Sequence, residues 1–304
     1  MDQKPLVSFL CLSYNHEKYI SQALKSIIAQ DYENLEIIFW DNNSIDNSFE
    51  IGNDLLKKSG REFKAFNSPE NLGVPKVLNN FLEESSGEYI SLLALDDWIT
   101  PDCISKKVTL YLKNPNVGII YSDGYRFIDD KNEYIPIESP FPNKEFLFDE
   151  LLKKNFLHTK GMLVKKSVFN KVGVFDESIQ IEDWDMSLRI ADKYPILHIA
   201  EKQFFYRMHS SNFSSQPKSD YFIAIFDTLY KHKEHSNYLI GIDRFMPGYI
   251  ASLKKKGSFN AIAIKRIVKY SGIRKQTFNY ILNRYRLYQQ LNYYIKRIGT
   301  LIKQ

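Results

Sequence analysis

The chain has 304 residues, 44% of them hydrophobic, and its 41 Lys and Arg against 36 Asp and Glu give a net charge of +5. That is enough apolar material for a packed core of about 200–250 residues plus an appendage, and no apolar run approaches the ~18–20 residues a membrane-spanning helix requires. Two cysteines, Cys11 and Cys103, lie far apart and no secretory leader precedes them, so a disulfide scaffold is excluded and reduced thiols of a cytoplasmic protein are expected.

Leu6-Val7-Ser8-Phe9-Leu10-Cys11-Leu12 is a near-continuous apolar run, the sign of a strand covered on both faces. Ser13-Tyr14-Asn15-His16 breaks it, and Ile20, Leu24, Ile27 and Ile28 then recur at helical spacing. Glu36-Ile37-Ile38-Phe39-Trp40 reads as a second strand, ended by Asp41-Asn42-Asn43-Ser44. Asp46 is placed to cap the next helix, which carries Phe49, Ile51, Leu55 and Leu56. A short strand at 63–66, the Asn71-Leu72-Gly73 turn and a helix through Val77, Leu78 and Phe81 lead to Tyr89-Ile90-Ser91-Leu92-Leu93. That fourth strand opens into a loop that begins with Asp96 and Asp97 and ends Trp98-Ile99-Thr100-Pro101. Strands alternating with helices predict an α/β fold with a mostly parallel, Rossmann-type sheet flanked by helices. Ser13-Tyr14, Asp41 and Asp96-Asp97 then share the ligand-binding edge of that sheet.

Adjacent carboxylates at the mouth of a buried strand repel each other, and a divalent cation such as Mg²⁺ or Mn²⁺ would relieve them, with substrate phosphates completing its shell. Farther on, residues 126–135 read as a hairpin turning at 130–132. The proline-rich stretch 136–148 reads as a mobile loop. Glu182-Asp183-Trp184-Asp185 opens a helix with Trp184, Leu188, Ile190 and Ala191 on its apolar face. Acids at a helix N-terminus also suit the dipole, but three in four residues exceed what capping needs. The stretch 210–219 has linker composition. The predicted boundary therefore divides residues 1–215, the catalytic body, from 216–304, a basic helical C-terminal region. From Ala251 onward there are 13 Lys and Arg and no Asp or Glu, so the net +5 conceals an acidic body and a basic tail. Phe278, Ile281, Tyr285 and Tyr288 lie on one face of that tail. Such a helix suits an anionic membrane surface; packing on the body and formation of a homodimer are the competing readings. No nucleic-acid-binding motif is present.

The motifs from Pro5-Leu6-Val7-Ser8 to Ser13-Tyr14-Asn15, Trp40-Asp41-Asn42-Asn43-Ser44-Ile45-Asp46, Asn71-Leu72-Gly73, Gly87-Glu88-Tyr89-Ile90 and Leu95-Asp96-Asp97 resemble, in order and spacing, those of a family-2 inverting glycosyltransferase of the GT-A fold. Gly173-Val174-Phe175-Asp176-Glu177 and Glu182-Asp183-Trp184-Asp185 continue the likeness, which covers about two thirds of the chain and is of the bacterial surface-polysaccharide type. The resemblance implies a nucleotide-diphosphate sugar donor, UDP-linked by preference, and a glycan or lipid-linked acceptor hydroxyl. It implies that Asp41 pairs with a pyrimidine imide, that Tyr14 beside Ser13 flanks the base, and that Asp96 lies near the sugar and ribose. Asp97 is implied as the metal-binding aspartate, with His209 near the metal or diphosphate. Asp183 is implied as the general base, with Glu182 beside it. Three departures stand out: Ala94 where many relatives carry the first aspartate of the metal motif, Asn42 after Asp41, and Leu78 in place of an arginine. Lys76 is then the nearest cation for a phosphate.

The residues and the resemblance give one mechanism. A carboxylate takes the proton of the acceptor hydroxyl as it attacks the anomeric carbon, a divalent ion offsets the charge on the leaving diphosphate, and the anomeric centre inverts. No glycine-rich phosphate loop and no G-x-G-x-x-G follows the first strand, which argues against a nucleotidyltransferase and a dinucleotide oxidoreductase. A non-catalytic sugar-nucleotide-binding or scaffold protein of a polysaccharide assembly complex is the alternative. The expected location is cytoplasmic, with peripheral attachment to the inner face of the membrane if the tail meets lipid.

Overall fold

The structure is a computed structural model that describes residues 4–209, 219–255 and 261–272. Two compact units divide the chain, Met1–Pro217 and Lys218–Gln304.

In the first unit, β1 (Val7–Ser13), β2 (Leu35–Asp41), β3 (Phe63–Asn67) and β4 (Tyr89–Ala94) alternate with α1 (Ile20–Ile28), α2 (Ser48–Lys57) and α3 (Val74–Glu84). All seven residues of β1 are buried, because it lies between β2 and β4 and pairs in parallel with both. On α1 the buried residues are Ile20, Ala23, Leu24 and Ile27, the i, i+3, i+4, i+7 stripe of a helix packed on a sheet. With Phe9, Ile37, Phe39 and Leu93 they belong to one core cluster. The strand order β3-β2-β1-β4 reverses direction at β1, so the carboxyl ends of β1 and β4 flank a topological switch point, where open α/β sheets bind ligands.

Beyond β4 the sheet becomes mixed. The elements are β5 (Trp98–Ile99), α4 (Cys103–Lys113), β6 (Ile119–Ile128), β7 (Glu133–Ile137), α5 (Phe148–Lys153), β8 (Leu163–Lys165), α6 (Phe169–Val172), α7 (Glu182–Ala191) and β9 (Ile196–Met208). The order continues β4-β8-β6-β9-β5, with β7 paired to β6 as the sequence predicts. Asn132 turns that hairpin at φ +50°. Trp98 and Ile99, which read as loop, form β5 instead and pair antiparallel with Phe205 and Phe204. Register shifts beside Asp123 let the 13-residue β9 pair first with β6 alone and then with β5 as well. Its last residues thus end beside the aspartates that follow β4. The loop after β7, expected to be mobile, is tied through Ser139, whose N–H donates to Asp123 Oδ1 at 2.8 Å. Asp123 also holds His198 Nε2 at 2.6 Å.

The second unit contains α8 (Ser219–Tyr230), α9 (Tyr238–Lys255) and α10 (Ala261–Ser271), joined by an aromatic core. Phe226 packs on Tyr249 and Tyr270 at 5.5 and 5.3 Å between ring centroids. The Tyr270 hydroxyl donates to Asp227 Oδ1 and the Tyr238 hydroxyl to the Tyr270 carbonyl, both at 2.6 Å. Lys265 and Arg266 are exposed on α10. The tail face carrying Phe278 and Tyr285 lies outside the described residues.

At the start of β4 the Gly87 N–H donates to Ser8 Oγ at 2.7 Å and to Glu36 Oε1 at 3.1 Å. A Cβ there would meet the Ser8 backbone nitrogen at 2.5 Å and the Leu6 carbonyl oxygen at 2.9 Å, atoms that cannot move without shifting β1. Gly87→Ala is therefore expected to lower unfolding free energy by about 1–3 kcal/mol, read as a lower denaturant midpoint.

Candidate functional site

The loops leaving β1 and β2 are fastened to each other by side chains. The Asp41 carboxylate, fully buried, accepts the Ser44 N–H and the Ser44 hydroxyl, each at 2.7 Å. Ser44 Oγ in turn accepts the Asn15 N–H at 2.8 Å, and Asn15 Oδ1 accepts the Ile45 N–H at 2.9 Å. Asn15 and Asn43 take positive φ, +58° and +69°, where asparagine is among the few tolerated residues. Asp46 accepts the Ser48 N–H at 3.0 Å, but the cap position of α2 is taken by Asn47 rather than by Asp46 as expected. Asn42, which departs from the family pattern, uses both ends of its amide. Its Nδ2 donates to Asn71 Oδ1 at 3.0 Å and its Oδ1 accepts the Leu72 N–H at 2.9 Å, so a carboxylate would forfeit the donor. Tyr14 is 46% exposed next to buried Ser13, and an aromatic face therefore stands open beside the Asp41 loop.

At the end of β4, Asp96 accepts from His209 Nε2 at 3.3 Å and has His16 Nε2 at 3.9 Å from the same oxygen. His209 thus faces Asp96 rather than Asp97, and rests on the Tyr19 ring with 4.7 Å between centroids. Burial works to raise the Asp96 carboxyl, but the His209 hydrogen bond and the charges of His16 and Lys160 outweigh it and hold it below the usual carboxylate range. Asp97 is buried. Its Oδ1 accepts the Arg207 backbone N–H at 2.8 Å and its Oδ2 lies 3.2 Å from Lys160 Nζ. Burial pushes this carboxyl up to about 7 against the pull of Lys160.

Two cations that sequence reasoning missed organise this edge. Arg207 is wholly committed: Nε donates to the Asp96 carbonyl at 3.0 Å, Nη2 to Gln22 Oε1 at 2.5 Å, and Nη1 pairs with Asp129. Its guanidinium lies 4.7 Å from the Trp98 ring centroid and 4.8 Å from that of Tyr19. Lys160 enters from the segment before β8. Residue 160 bridges Leu92 of β4, and its ammonium lies 4.1 Å from the Tyr206 ring centroid. Asp97 and Asp96 keep it charged in spite of burial. Nothing in the sequence distinguishes it from the other lysines except the glycine that follows.

Glu182 and Asp183 open α7, as predicted. Asp183 Oδ1 accepts the Trp184 N–H at 2.6 Å, and Trp184 anchors the turn by donating Nε1–H to the Leu151 carbonyl at 2.9 Å. Burial raises both carboxyls. Asp183 is pulled back by that N–H, by the Lys160 charge and by Asn155, whereas Glu182 is pushed up to about 8 by burial and by Asp183. The pair therefore titrates as a unit. Asp185 is structural: its Oδ2 holds Arg189 Nε at 2.9 Å. Lys76 pairs with Glu177 at 3.6 Å, and both are about half exposed. Lys160, by contrast, is within electrostatic reach of Asp96, Asp97 and Asp183 together.

Among the described residues no group of three His, Cys, Asp or Glu side chains is arranged to hold a metal ion. A cation bound to Asp97 would have to share that carboxylate with Lys160. Asp97 Oδ2 is buried without a hydrogen-bond partner, and a divalent ion there would need substrate oxygens to complete its shell.

The model of the family described as Glycosyl transferase family 2 matches residues 8–173. An uncharacterized glycosyltransferase of Rickettsia felis is 32% identical over 197 residues, which cover 63% of this chain and 32% of that one. One from Haemophilus influenzae is 30% identical over 231 residues, 71% of this chain and 69% of its own. The chain spans between about a third and three fifths of the length of the first curated relatives it matches. Among solved structures, Staphylococcus aureus TarS 1–349 in complex with UDP-GlcNAc superposes with a TM-score of 0.65 at 16% identity, covering 86% of this chain and 81% of that one. The mannosyltransferase PcManGT from Pyrobaculum calidifontis, in complex with GDP-Man and Mn²⁺, gives 0.59 at 16% identity, covering 86% and 77%. Both likenesses concern the fold.

Asn42→Asp replaces the amide donor by an acceptor facing Asn71 Oδ1. It is expected to cost about 1–2 kcal/mol of stability, measured by urea unfolding, and to loosen the 71–73 turn, visible as faster amide exchange at Leu72.

Proposed function

Since the chain belongs to glycosyl transferase family 2, we propose that it transfers a sugar from a nucleotide-diphosphate donor, UDP-linked by preference, to a hydroxyl on a glycan or lipid-linked acceptor. The observation that carries this reading is that Asp96, Asp97 and Asp183 all lie within the electrostatic reach of one ammonium, Lys160, which pairs with Asp97 beyond the end of β4. The base site lies one strand over, where Asp41 and exposed Tyr14 frame the mouth of β1 and β2. Each Asp41 oxygen accepts one bond from Ser44 and retains a second lone pair for an imide N–H.

In the proposed reaction the acceptor oxygen attacks the anomeric carbon as the bond from that carbon to the diphosphate oxygen breaks. Asp183 receives the hydroxyl proton, and the nucleoside diphosphate leaves with the bonding pair. One displacement from the opposite face inverts the centre. The structural neighbour with GDP-Man carries Mn²⁺, and the sequence suggests a divalent ion on Asp97. In this chain that ion and the Lys160 ammonium compete for the same place, and no step above depends on which one holds it. The basic C-terminal region would bring a lipid-linked acceptor and the enzyme together on an anionic surface, with Lys265 and Arg266 on its exposed side.

Hydrolysis or binding of a panel of nucleotide sugars tests the reading; a protein that neither binds nor turns over any of them is not a transferase of this class. Asp183→Asn keeps size and hydrogen bonding but cannot take a proton, so turnover is expected to fall by ~10²-fold or more with donor affinity little changed. Because burial raises the Glu182-Asp183 pair and the base acts ionised, transfer should climb with rising pH. The acid limb should lie above the usual carboxylate range near 4. A limb at 4 or below would assign the base elsewhere.

A further inference from the structure

We propose that Lys160 is the resident cation of this site, standing where a divalent ion would bridge Asp97 and the donor, and that its ammonium meets the departing diphosphate directly. This rests on the nucleotide-sugar reading above and assigns the charge that reading needs.

The ammonium has three N–H donors. Among the described residues its ion-pair partner is Asp97 Oδ2 at 3.2 Å, an oxygen that is not aligned to accept a hydrogen bond, and the Tyr206 ring covers another side. The side chain is 18% exposed, so the ammonium is not sealed off from solvent. A largely buried ammonium with one ion-pair contact is short of oxygen partners, and a diphosphate supplies them. Arg207 cannot take this role, since its nitrogens are engaged by Asp96, Asp129 and Gln22.

The backbone fixes the position. The Gly161 N–H donates to the Leu92 carbonyl at 3.4 Å, and Gly161 has φ +65° with Cys103 Sγ 2.8 Å and Ile99 Cγ2 3.2 Å from where a Cβ would stand. Lys160 is thereby held at the end of β4 by a turn that only glycine closes easily. A divalent ion on Asp97 Oδ2 would sit ~2.0–2.2 Å from that oxygen. It would then lie within a few ångströms of the ammonium, two cations on a single carboxylate. Ammonium and metal ion are therefore alternatives at this carboxylate.

The test is calorimetric binding of UDP and GDP to the full chain, in EDTA and in Mn²⁺. The wild type is expected to bind one of them equally well in both. Lys160→Met should weaken binding about tenfold or more in EDTA and regain it in Mn²⁺, because Asp97 is freed for the ion. Should the methionine variant fail to fold around an unpaired Asp97, the neutral pair of Lys160→Met with Asp97→Asn should fold. That double variant should bind weakly whether Mn²⁺ is present or not. Wild-type binding that vanishes in EDTA and returns with Mn²⁺ overturns the proposal and leaves the donor reading standing. The proposal falls in the same way if Lys160→Met, or the double variant, binds like the wild type in EDTA. Binding of neither nucleotide under either condition removes the donor reading and the proposal together.

Discussion

Carboxylates crowded on one edge of a sheet must be held against their own repulsion, and most of the irregular half of this fold serves that end. Asp96, Asp97, Glu182 and Asp183 come from two elements far apart in sequence. At an effective dielectric of about 20, two unit charges 4 Å apart repel by ~4 kcal/mol. The protein answers with different kinds of partner. Arg207 is sealed among the Tyr19, Trp98 and Phe127 rings and fixes the backbone that bonds Asp97. His209 and His16 attend Asp96, while Lys160 reaches Asp97 and keeps an open side. The short β5 strand, the register shift in β9 and the left-handed Gly161 all exist at the places where these partners must be delivered.

The nucleotide side of the edge is organised on another principle. There the loops after β1 and β2 are stitched by neutral side chains and single carboxylates, with Asn15, Ser44, Asp46 and Ser48 each satisfying a backbone group of the opposite loop. Such a network is preorganised by hydrogen bonds rather than by ion pairs. It suits a flat, uncharged base, whereas the β4 side suits phosphates and a reacting hydroxyl.

What the sequence discloses follows the same division. The first hundred residues repeat strand and helix at regular spacing, and each apolar stripe points to a core, so β1 to β4 and the edge they share are legible down to Ser13, Asp41 and Asp96-Asp97. Glu182 and Asp183 are legible because an acid cluster before an apolar helix face is a local pattern. Lys160 and Arg207 are not, since what makes them unusual is burial beside acids 63 and 110 positions away in the chain. Trp98-Ile99 reads as loop because a two-residue strand has no period; only its pairing with β9 defines it. Lys76 is near the motifs in sequence, and in the structure it pairs with Glu177. Asn42 looks like a loss when charge alone is compared, and its two hydrogen bonds show an amide used at both ends.

Cys11 and Cys103 are both free and fully buried, one at the centre of β1 and the other under the Gly161 turn, its Sγ 3.6 Å from the Gly161 carbonyl oxygen. Burial raises both thiols above their usual range, so neither offers a thiolate to a reagent while the chain is folded. They differ in what must open to expose them. Cys11 is released only when β1 leaves the sheet, and its labelling follows global unfolding. Cys103 is released when the turn carrying Lys160 lifts from α4, a smaller event. The protein therefore contains two native chemical clocks, and the difference between their labelling rates measures how firmly the fold holds its ammonium in place.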